Sequence, residues 1–224
     1  MIKNISNLGD ASAYCDFGNE VNEEINSNVI SYFKHLKKNK INGITNITPS
    51  YNKLIISFDL EVINFEKLKD KIKKINLESI EKEEKKIVKV PICIDGEFSL
   101  DLKRLSNKLK ITEKQIINSF LSKEYFCYMT GFIAGMPFLG NIDSNIRLYR
   151  LETPRVKVPK GSIGITEQFC NIYTFESPGG WNIIGNTPMK IFDKFNESNP
   201  VKINPGDNVI FYQINKNEFL KLNE

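Results

Sequence analysis

Arg147, Arg150 and Arg155 fall within nine residues of one another in a chain whose other cations, Arg104 aside, are lysines. Lysine suffices where a point charge is needed. Arginine's planar fork grips carboxylate or phosphate through two parallel hydrogen bonds. The cluster therefore has two readings, an anion-binding site and a structural pairing with a buried carboxylate. Three stiff segments surround it: "GFIAGMPFLG" (Gly131–Gly140), "TPRVKVPKGS" (Thr153–Ser162) and "SPGGWNIIGNTP" (Ser177–Pro188), the last holding the only tryptophan, Trp181. Glycine permits close backbone approach and proline stiffens. Rigid loops on a β scaffold are where binding groups sit, although tight barrel corners need the same residues. The third segment reads as neither an ordinary helix nor a strand.

Other chemistries are poorly supplied. The chain has no G-x-x-x-x-G-K-[ST] and no G-x-G-x-x-G opening a helix. "GSIG" (Gly161–Gly164) has the wrong spacing for a nucleophile elbow. The only histidine, His35, falls off the Ile25–Val29–Phe33–Leu36 stripe of its helix and reads as an exposed residue. A Ser-His-Asp or Cys-His site built on it is not expected. Cys15, Cys93, Cys127 and Cys170 are widely spaced with no C-x-x-C pair, so no metal site is expected.

Composition sets the class. The 224 residues are 41% hydrophobic and 26% charged, as in a soluble globular protein. A net charge of +4, from 31 Lys+Arg against 27 Asp+Glu, with lysine interleaved with glutamate on helical faces, does not indicate a nucleic-acid binder. No signal-peptide core or membrane-length apolar run is present, so a reducing cytoplasm is the expected compartment and no membrane partner is expected.

The elements that must position the cluster follow from periodicity. "ASAYCDFG" (Ala11–Gly18) reads as a strand and 21–38 as an amphipathic helix. "GITNITPSYNKLIISFD" reads as two strands about a turn at 49–52. A helix with Phe65, Leu68, Ile72 and Ile75 on one face follows. Glu81–Lys86 is a polar connector, and "IVKVPICI" (Ile87–Ile94) is strand-like. The order β-α-β-β-α-β fits a split βαβ, ferredoxin-like domain. Two short helices come next, one carrying Leu102, Leu105 and Leu109, the other capped by Thr112. From Tyr125 onward short apolar runs ("YFCYMTGF", "IRLYRL", "GSIGI", "CNIYTF", "NVIFYQI") alternate with turn chemistry, as in a β-barrel or sandwich. The expected fold is α+β, with one domain at 1–86 and a β-rich domain at 87–224.

Three ordered motifs, "TGFIAGMPFLG", "TPRVKVPKGSIGI" and "IYTFESPGGWNIIGNTPMKIFD", resemble the B-type subunits of the Pxp-type 5-oxoprolinase family. That family is also called allophanate hydrolase subunit 1 and includes the Kip sporulation-kinase inhibitor. "LGDASAYCDFGNEVNEEIN", "ITNITPSYNKLIISFD" and "VPICIDGEFSLDLKRLS" extend the match over roughly Gly9 to Phe211. The resemblance implies a ferredoxin-like domain followed by a cyclophilin-like barrel, working with a type A subunit and a type C cyclophilin-like subunit. Such complexes open the lactam of 5-oxoproline to glutamate, driven by ATP with Mg2+; no tight cofactor is implied for this chain alone. The Kip-like alternative implies binding to a sensor histidine kinase without catalysis.

The resemblance nominates Arg150, Arg155, Ser162, Tyr173, Trp181, Asn186 and Thr187 as substrate- or phosphate-binding candidates. Gly131, Phe132, Gly135, Gly140, Pro178, Gly179, Gly180 and Gly185 are the loop scaffold. No catalytic residue is assigned. This sequence departs from the family pattern at Phe120 (family His), Ala134 and Met136 (Pro and Phe), Tyr149 (Pro), Glu167, Phe169 and Asn171 (Gly, Gln and Gly), Thr174 (Pro) and Asn186 (Arg). A His, a Gln and an Arg are lost, a pattern that suits a divergent member with an altered substrate or one that only binds.

Overall fold

The computed structural model describes residues 1–76 and 86–223, so the polar connector expected at Glu81–Lys86 lies outside the described residues except for Lys86. The chain divides into two units, Met1–Glu84 and Lys85–Glu224, each with its own core.

In the first unit, β1 (Asn4–Asn7), β2 (Ser12–Asp16), β3 (Ile44–Pro49) and β4 (Lys53–Phe58) form an antiparallel sheet in the order β1-β2-β4-β3. Strand β4 shows the period-2 burial of a half-buried strand, with Leu54, Ile56 and Phe58 inward. Helices α1 (Glu23–Lys38) and α2 (Phe65–Lys73) begin where Asn22 and Asn64 accept hydrogen bonds from the Ile25 and Lys67 amides. Val29 and Leu36 of α1 and Leu68 and Ile72 of α2 join the core with Ala13, Cys15, Leu54 and Ile56. Buried Asn26 donates to the carbonyls of Ser50 and Tyr51, tying α1 to the turn before β4. His35, expected to be exposed, is half-buried on the last turn of α1 against Asn39.

The sixth element expected for this unit goes elsewhere. The fourth strand of the sheet is β1, and β5 (Ile87–Cys93) belongs to the barrel of the second unit. The reason lies in its composition: Val90, Pro91, Ile92 and Cys93 are buried consecutively. Such a run needs cover on both faces, which a barrel strand obtains and a half-buried edge strand does not.

The barrel closes in the order β10-β7-β6-β13-β5-β12-β9, using β6 (Glu124–Thr130), β7 (Pro137–Gly140), β9 (Ser162–Thr166), β10 (Phe169–Ile172), β12 (Asn182–Asn186) and β13 (Asn208–Ile214). Two strands outside it, β8 (Arg155–Val158) and β11 (Ser177–Gly179), pair as a short ribbon. Helices α3 (Leu102–Leu109), α4 (Glu113–Leu121) and α5 (Lys216–Leu222) complete the unit. Thr112 closes a capping box with Gln115 at the start of α4. Phe120 of α4 packs on Tyr125 and Phe211 with ring centroids 5.1 and 4.9 Å away, and the Tyr125 hydroxyl donates to the Phe120 carbonyl at 2.6 Å.

Two local expectations change. "IRLYRL" forms no strand: a 3-10 turn ends at Ile146, and residues 147–151 are irregular. "SPGGWNIIGNTP" contains β11 and the barrel strand β12, all five of whose residues are buried. Its glycines and prolines mask the strand, because local propensity speaks against it while burial decides for it.

All four cysteines are free and buried. Burial pushes the Cys15 thiol up to about 12 and raises Cys93, Cys127 and Cys170 as well. Since the thiolate is the nucleophile, the folded protein is expected to show negligible reaction with a disulfide reagent at pH 8. All four thiols should react once guanidinium unfolds the chain. Prompt labelling of any cysteine in the native state would contradict this packing.

Candidate functional site

The barrel's strand register builds an outward-facing row. Phe138 of β7 lies opposite Asn171 of β10, Asn171 opposite Gly164 of β9, and Gly164 opposite Ile183 of β12. Their chain neighbours Leu139, Cys170, Ile163, Ile165 and Ile184 fill the barrel core, so strand alternation puts the row on the outer wall. There Met136, Val158, Tyr173 and Ile183 form a small apolar cluster, joined by Ile133 and Phe138. The β8–β11 ribbon contributes Val158 to it. Trp181 packs edge-on against Phe138, with centroids 5.6 Å apart. Gly164 makes the crowding possible: a Cβ there would lie 2.8 Å from Asn171 Oδ1 and 2.9 Å from Trp181 Cβ.

Tyr173 is the hub of the polar groups on this wall. Its hydroxyl fills the space a side chain at Gly179 would need, which explains the Gly of "SPGGW" by close approach. Burial raises its pKa, opposed in turn by the Asn171 side chain, the Arg150 cation, the Trp181 backbone N–H and the Arg155 cation. The net shift is upward, so the group is a neutral phenol at physiological pH. Arg150 is exposed and lies over Gly180, where a Cβ would sit 3.1 Å from both Nε and Nη2. Among the described residues it makes no ion pair. Its backbone segment is fixed by the Leu151 N–H donating to Gly180 O at 2.6 Å and by Asn182 Nδ2 donating to Tyr149 O at 3.1 Å. Arg104 of α3 in turn donates to Asn182 Oδ1.

Arg155 takes the structural alternative. Its Nη2 donates to Asp101 Oδ1 at 2.6 Å, and the Asp101 side chain is only 4% exposed. Asp101 Oδ2 accepts the Ile183 N–H at 2.7 Å, and the Asp101 N–H donates to Ile183 O at 2.9 Å. One carboxylate thus joins the start of α3, the ribbon and the barrel wall. Arg155 Nη1 is buried with no hydrogen-bond partner. Asn171 is fully buried, and neither its Nδ2 nor its Oδ1 makes a hydrogen bond of good geometry, although its side chain stands beside the Tyr173 hydroxyl. Each such unsatisfied atom costs about 1–3 kcal/mol.

A separate cavity of about 520 Å³ opens beside the turn between β8 and β9. Ser162, Tyr173, Asn186 and Thr187 line it, with Lys160 and Glu97 as its charges and Phe98 and Phe219 among its apolar walls. Gly161, at φ +81°, makes the turn in a conformation costly for other residues. Asn186 Nδ2 donates to Lys160 O at 2.9 Å and the Thr187 N–H to Gly161 O at 2.9 Å, so both residues hold the turn.

The nominated residues therefore fall into two groups. Arg150, Arg155, Trp181, Gly179 and Gly180 gather around the Tyr173 side chain, with Pro178 on the exposed side of the ribbon. Ser162, Asn186 and Thr187 face the cavity, and Tyr173 borders both. Among the scaffold residues, Gly135 lies against Phe192, Gly140 against Tyr128 and Gly185 against Ile92. Gly131 N–H donates to Met136 O, and Phe132 stands 71% exposed at φ +67°. Of the departures, Phe120 is core, Phe169 meets the edge of Tyr128, and Ala134 O accepts the Thr174 hydroxyl. Asp101 is the residue sequence reasoning missed. It precedes the Leu102–Leu105–Leu109 stripe as an N-cap would, yet its carboxylate makes no cap bond.

The cavity does not fit a nucleoside triphosphate. Its lining offers one lysine opposed by one glutamate, whereas triphosphate sites need several convergent donors and a metal ligand set. Among the described residues no group of three His, Cys, Asp or Glu could hold a metal ion.

Removing the Asp101 carboxylate strands the Arg155 charge and the Ile183 N–H. Asp101→Ala should destabilise the second unit by about 3 kcal/mol, the low end for breaking a buried pair, because the Arg155 side chain is 28% exposed. Urea denaturation followed by tyrosine and tryptophan fluorescence measures this, and a loss under 1 kcal/mol would refute the structural role.

A family model described as "Carboxyltransferase domain, subdomain C and D" matches residues 3–203. The chain is 31% identical to the B-type subunit of 5-oxoprolinase from Bacillus subtilis, over 96% of this chain and 94% of that protein. It is 40% identical to the corresponding 5-oxoprolinase subunit from Haemophilus influenzae, over 55% of this chain and 58% of that one. Among solved structures, TTHA0988 superposes with a TM-score of 0.81 at 28% identity, over 91% of this chain. The present chain spans 40% of that protein's length. The wall, the clamped ribbon and the glycine-lined loops lie within the matched segment, and the chain belongs to the family of carboxyltransferase-domain C and D proteins.

Proposed function

We propose that the chain is the B-type subunit of a heteromeric, ATP-dependent enzyme that opens the lactam of 5-oxoproline to glutamate. The observation that carries this reading is the end-to-end similarity to a B-type 5-oxoprolinase subunit, 96% of one chain against 94% of the other. Type A and type C subunits are the partners. ATP and Mg2+ enter at the level of the complex, since the cavity of this chain lacks the donors for a triphosphate. The fold labels that go with this reading are a ferredoxin-like unit at 1–86 and a cyclophilin-like barrel at 87–224. Cytoplasm is the matching compartment; among the described residues no helix is long and apolar enough to cross a membrane.

In this reading the chain binds and orients. Arg150, a cation with no carboxylate partner among the described residues, receives the substrate carboxylate. Tyr173, kept as a neutral phenol by burial, donates to the lactam oxygen as negative charge develops there. Such preorganised donors stabilise an oxyanion without reorganising. Trp181 and Phe138 wall the site against water. Arg155 acts as a positioning residue through Asp101. Ser162, Asn186 and Thr187 shape the adjoining cavity, where a further hydrogen-bonding group of the substrate or a partner subunit is received.

Phe132 and Tyr149 in loops and Val156 in β8 expose large apolar surfaces, 71%, 76% and 81%, and support a protein partner. They also support the second reading, a Kip-like inhibitor of a sensor histidine kinase.

The test is co-expression with type A and type C subunits and assay of 5-oxoproline-dependent ATP hydrolysis. Turnover is expected from the complex and not from this chain alone, with Arg150→Ala raising KM at least tenfold. A folded complex without turnover rejects the enzyme reading. Inhibition of kinase autophosphorylation at micromolar concentration would then establish the second.

A further inference from the structure

We propose that the cavity beside the β8–β9 turn binds a free α-amino acid, and that in the complex it receives the glutamate formed when the lactam opens. The inference deepens the lactam reading above and rests on it for the identity of the amino acid. Ser162 of β9 lies opposite Asn186 of β12, and Asn186 opposite Cys93 of β5. Ile163, the chain neighbour of Ser162, is in the barrel core, so strand alternation turns Ser162 to the outer wall. Cys93 joins Ile214, Phe98 and Phe219 in a small apolar cluster at α5. Phe219 packs on Phe98 with centroids 4.4 Å apart, and Lys216 donates through its N–H to Asp95 and through Nζ to Glu97. The helix thereby stands as one wall of a cavity of about 520 Å³, a volume that suits a small-molecule site. Glu97, Lys160 and Leu100 line it and are exposed, so its mouth lies in solvent and no element has to move to admit a ligand.

The Ser162 hydroxyl points to that ligand. The residue is 1% exposed and lines the cavity. Its backbone is tied at both ends, the N–H donating to Pro159 O and the carbonyl accepting the Tyr173 N–H. Among the described residues its hydroxyl makes no hydrogen bond, an unusual state for a buried polar group. The neighbours also have capacity to spare. Thr187 Oγ1 accepts the Met189 N–H and keeps its own proton to donate. Asn186 gives Nδ2 to Lys160 O and keeps Oδ1 as an acceptor. Glu97 meets Lys216 through Oε2 and keeps Oε1, while Lys160 makes no ion pair among the described residues.

These groups select the ligand class. Two hydroxyl donors and a lysine suit a carboxylate, and an amide oxygen with a carboxylate oxygen suits an ammonium. An α-amino acid carries both groups on one carbon. A simple acid would bring only lone pairs to Asn186 and Glu97, and a lactam offers one neutral N–H and no cation. Ring opening supplies what is missing. Water adds across the ring C–N bond, the carbonyl carbon becomes a carboxylate and the nitrogen leaves as an ammonium. Phe98, Leu100 and Phe219 are apolar cover for the methylenes. Tyr173 borders this cavity and also feels the Arg150 cation, so the substrate wall and the product cavity are contiguous.

The experiment measures binding to the full chain by calorimetry, with L-glutamate and with glutarate, which has both carboxylates and no ammonium. Wild type should bind glutamate at least tenfold more tightly than glutarate. Ser162→Ala removes a hydroxyl that holds nothing in the fold, so it should weaken glutamate at least tenfold and leave the urea midpoint unchanged. Glu97→Gln should narrow the preference for glutamate over glutarate at least threefold. Arg150→Ala should leave glutamate affinity unchanged, because that cation belongs to the neighbouring wall. Near-ultraviolet circular dichroism checks that the variants fold.

Equal affinity of wild type and Ser162→Ala for glutamate would overturn the proposal. So would glutarate binding as tightly as glutamate, a loss of glutamate binding in Arg150→Ala, or no binding of glutamate to wild type at 10 mM. The two readings fail separately. A complex that turns over 5-oxoproline while glutamate binding is indifferent to Ser162→Ala removes this inference and leaves the enzyme reading. Ser162-dependent glutamate binding without turnover by the folded complex does the reverse.

Discussion

The carboxylate of Asp101 is the constraint on which the outer wall depends. It is withdrawn from water, so each of its oxygens must be paired or the unit loses several kcal/mol. One oxygen takes Arg155 from the ribbon and the other takes the Ile183 amide from β12. The same residue begins α3, whose Leu102 and Leu105 enter the barrel core. A three-residue strand and a four-residue strand would not stay paired by their own ladder. Clamped through Arg155, they instead hold Val158 against Tyr173 and Ile183. Everything polar on this wall then has a fixed address: the Tyr173 phenol against Gly179, Arg150 over Gly180, and Trp181 against Phe138.

The clamp also settles what the arginine cluster is. Three guanidinium groups close in sequence do three different things. Arg147 donates to the carbonyl of Ile142. Arg155 is spent on Asp101 through Nη2 and keeps Nη1 buried and unpaired. Only Arg150 of the three has neither an ion pair nor a side-chain hydrogen bond among the described residues. Arg150 is thus the guanidinium left available on this wall, beside the neutral Tyr173 phenol.

Much of this was legible in the residues. The helix stripes at Leu68 and Ile72 and at Leu102 and Leu105, the Thr112 cap, and the strands ending in β13 follow from period and composition. Strands β6, β9, β10 and β13 follow from the short apolar runs, which fit a barrel or a sandwich equally; the structure closes them with β5, β7 and β12 into a seven-stranded barrel, consistent with a cyclophilin-like one. What escaped was decided by tertiary burial. Strand β12 hides inside "WNIIGN" because two isoleucines flanked by glycine and asparagine carry no strand period, yet every residue there is buried. β1 adds itself to the first sheet with only Ile5 inward. Ile87–Cys93, which reads equally well as the end of one domain or the start of another, goes where both its faces are covered. Of the wall, the glycine and tryptophan framework was visible and the burial of Asn171 beside Tyr173 was not. Asn171 registers in the sequence only as a departure, and nothing local says that its side chain is buried beside the Tyr173 hydroxyl. Asp101 resembles a helix cap, and only the fold shows its oxygens spent elsewhere.

Amide hydrogen exchange of the Asp101→Asn variant tests the clamp most directly, since the substitution keeps the side-chain shape and removes the charge. With the clamp gone, the ribbon amides and that of Ile183 should exchange at least tenfold faster than in wild type. Core amides such as those of Ile163 and Cys127 should keep their protection. Unchanged exchange in the ribbon would show that the wall holds itself without Asp101, and would contradict the account.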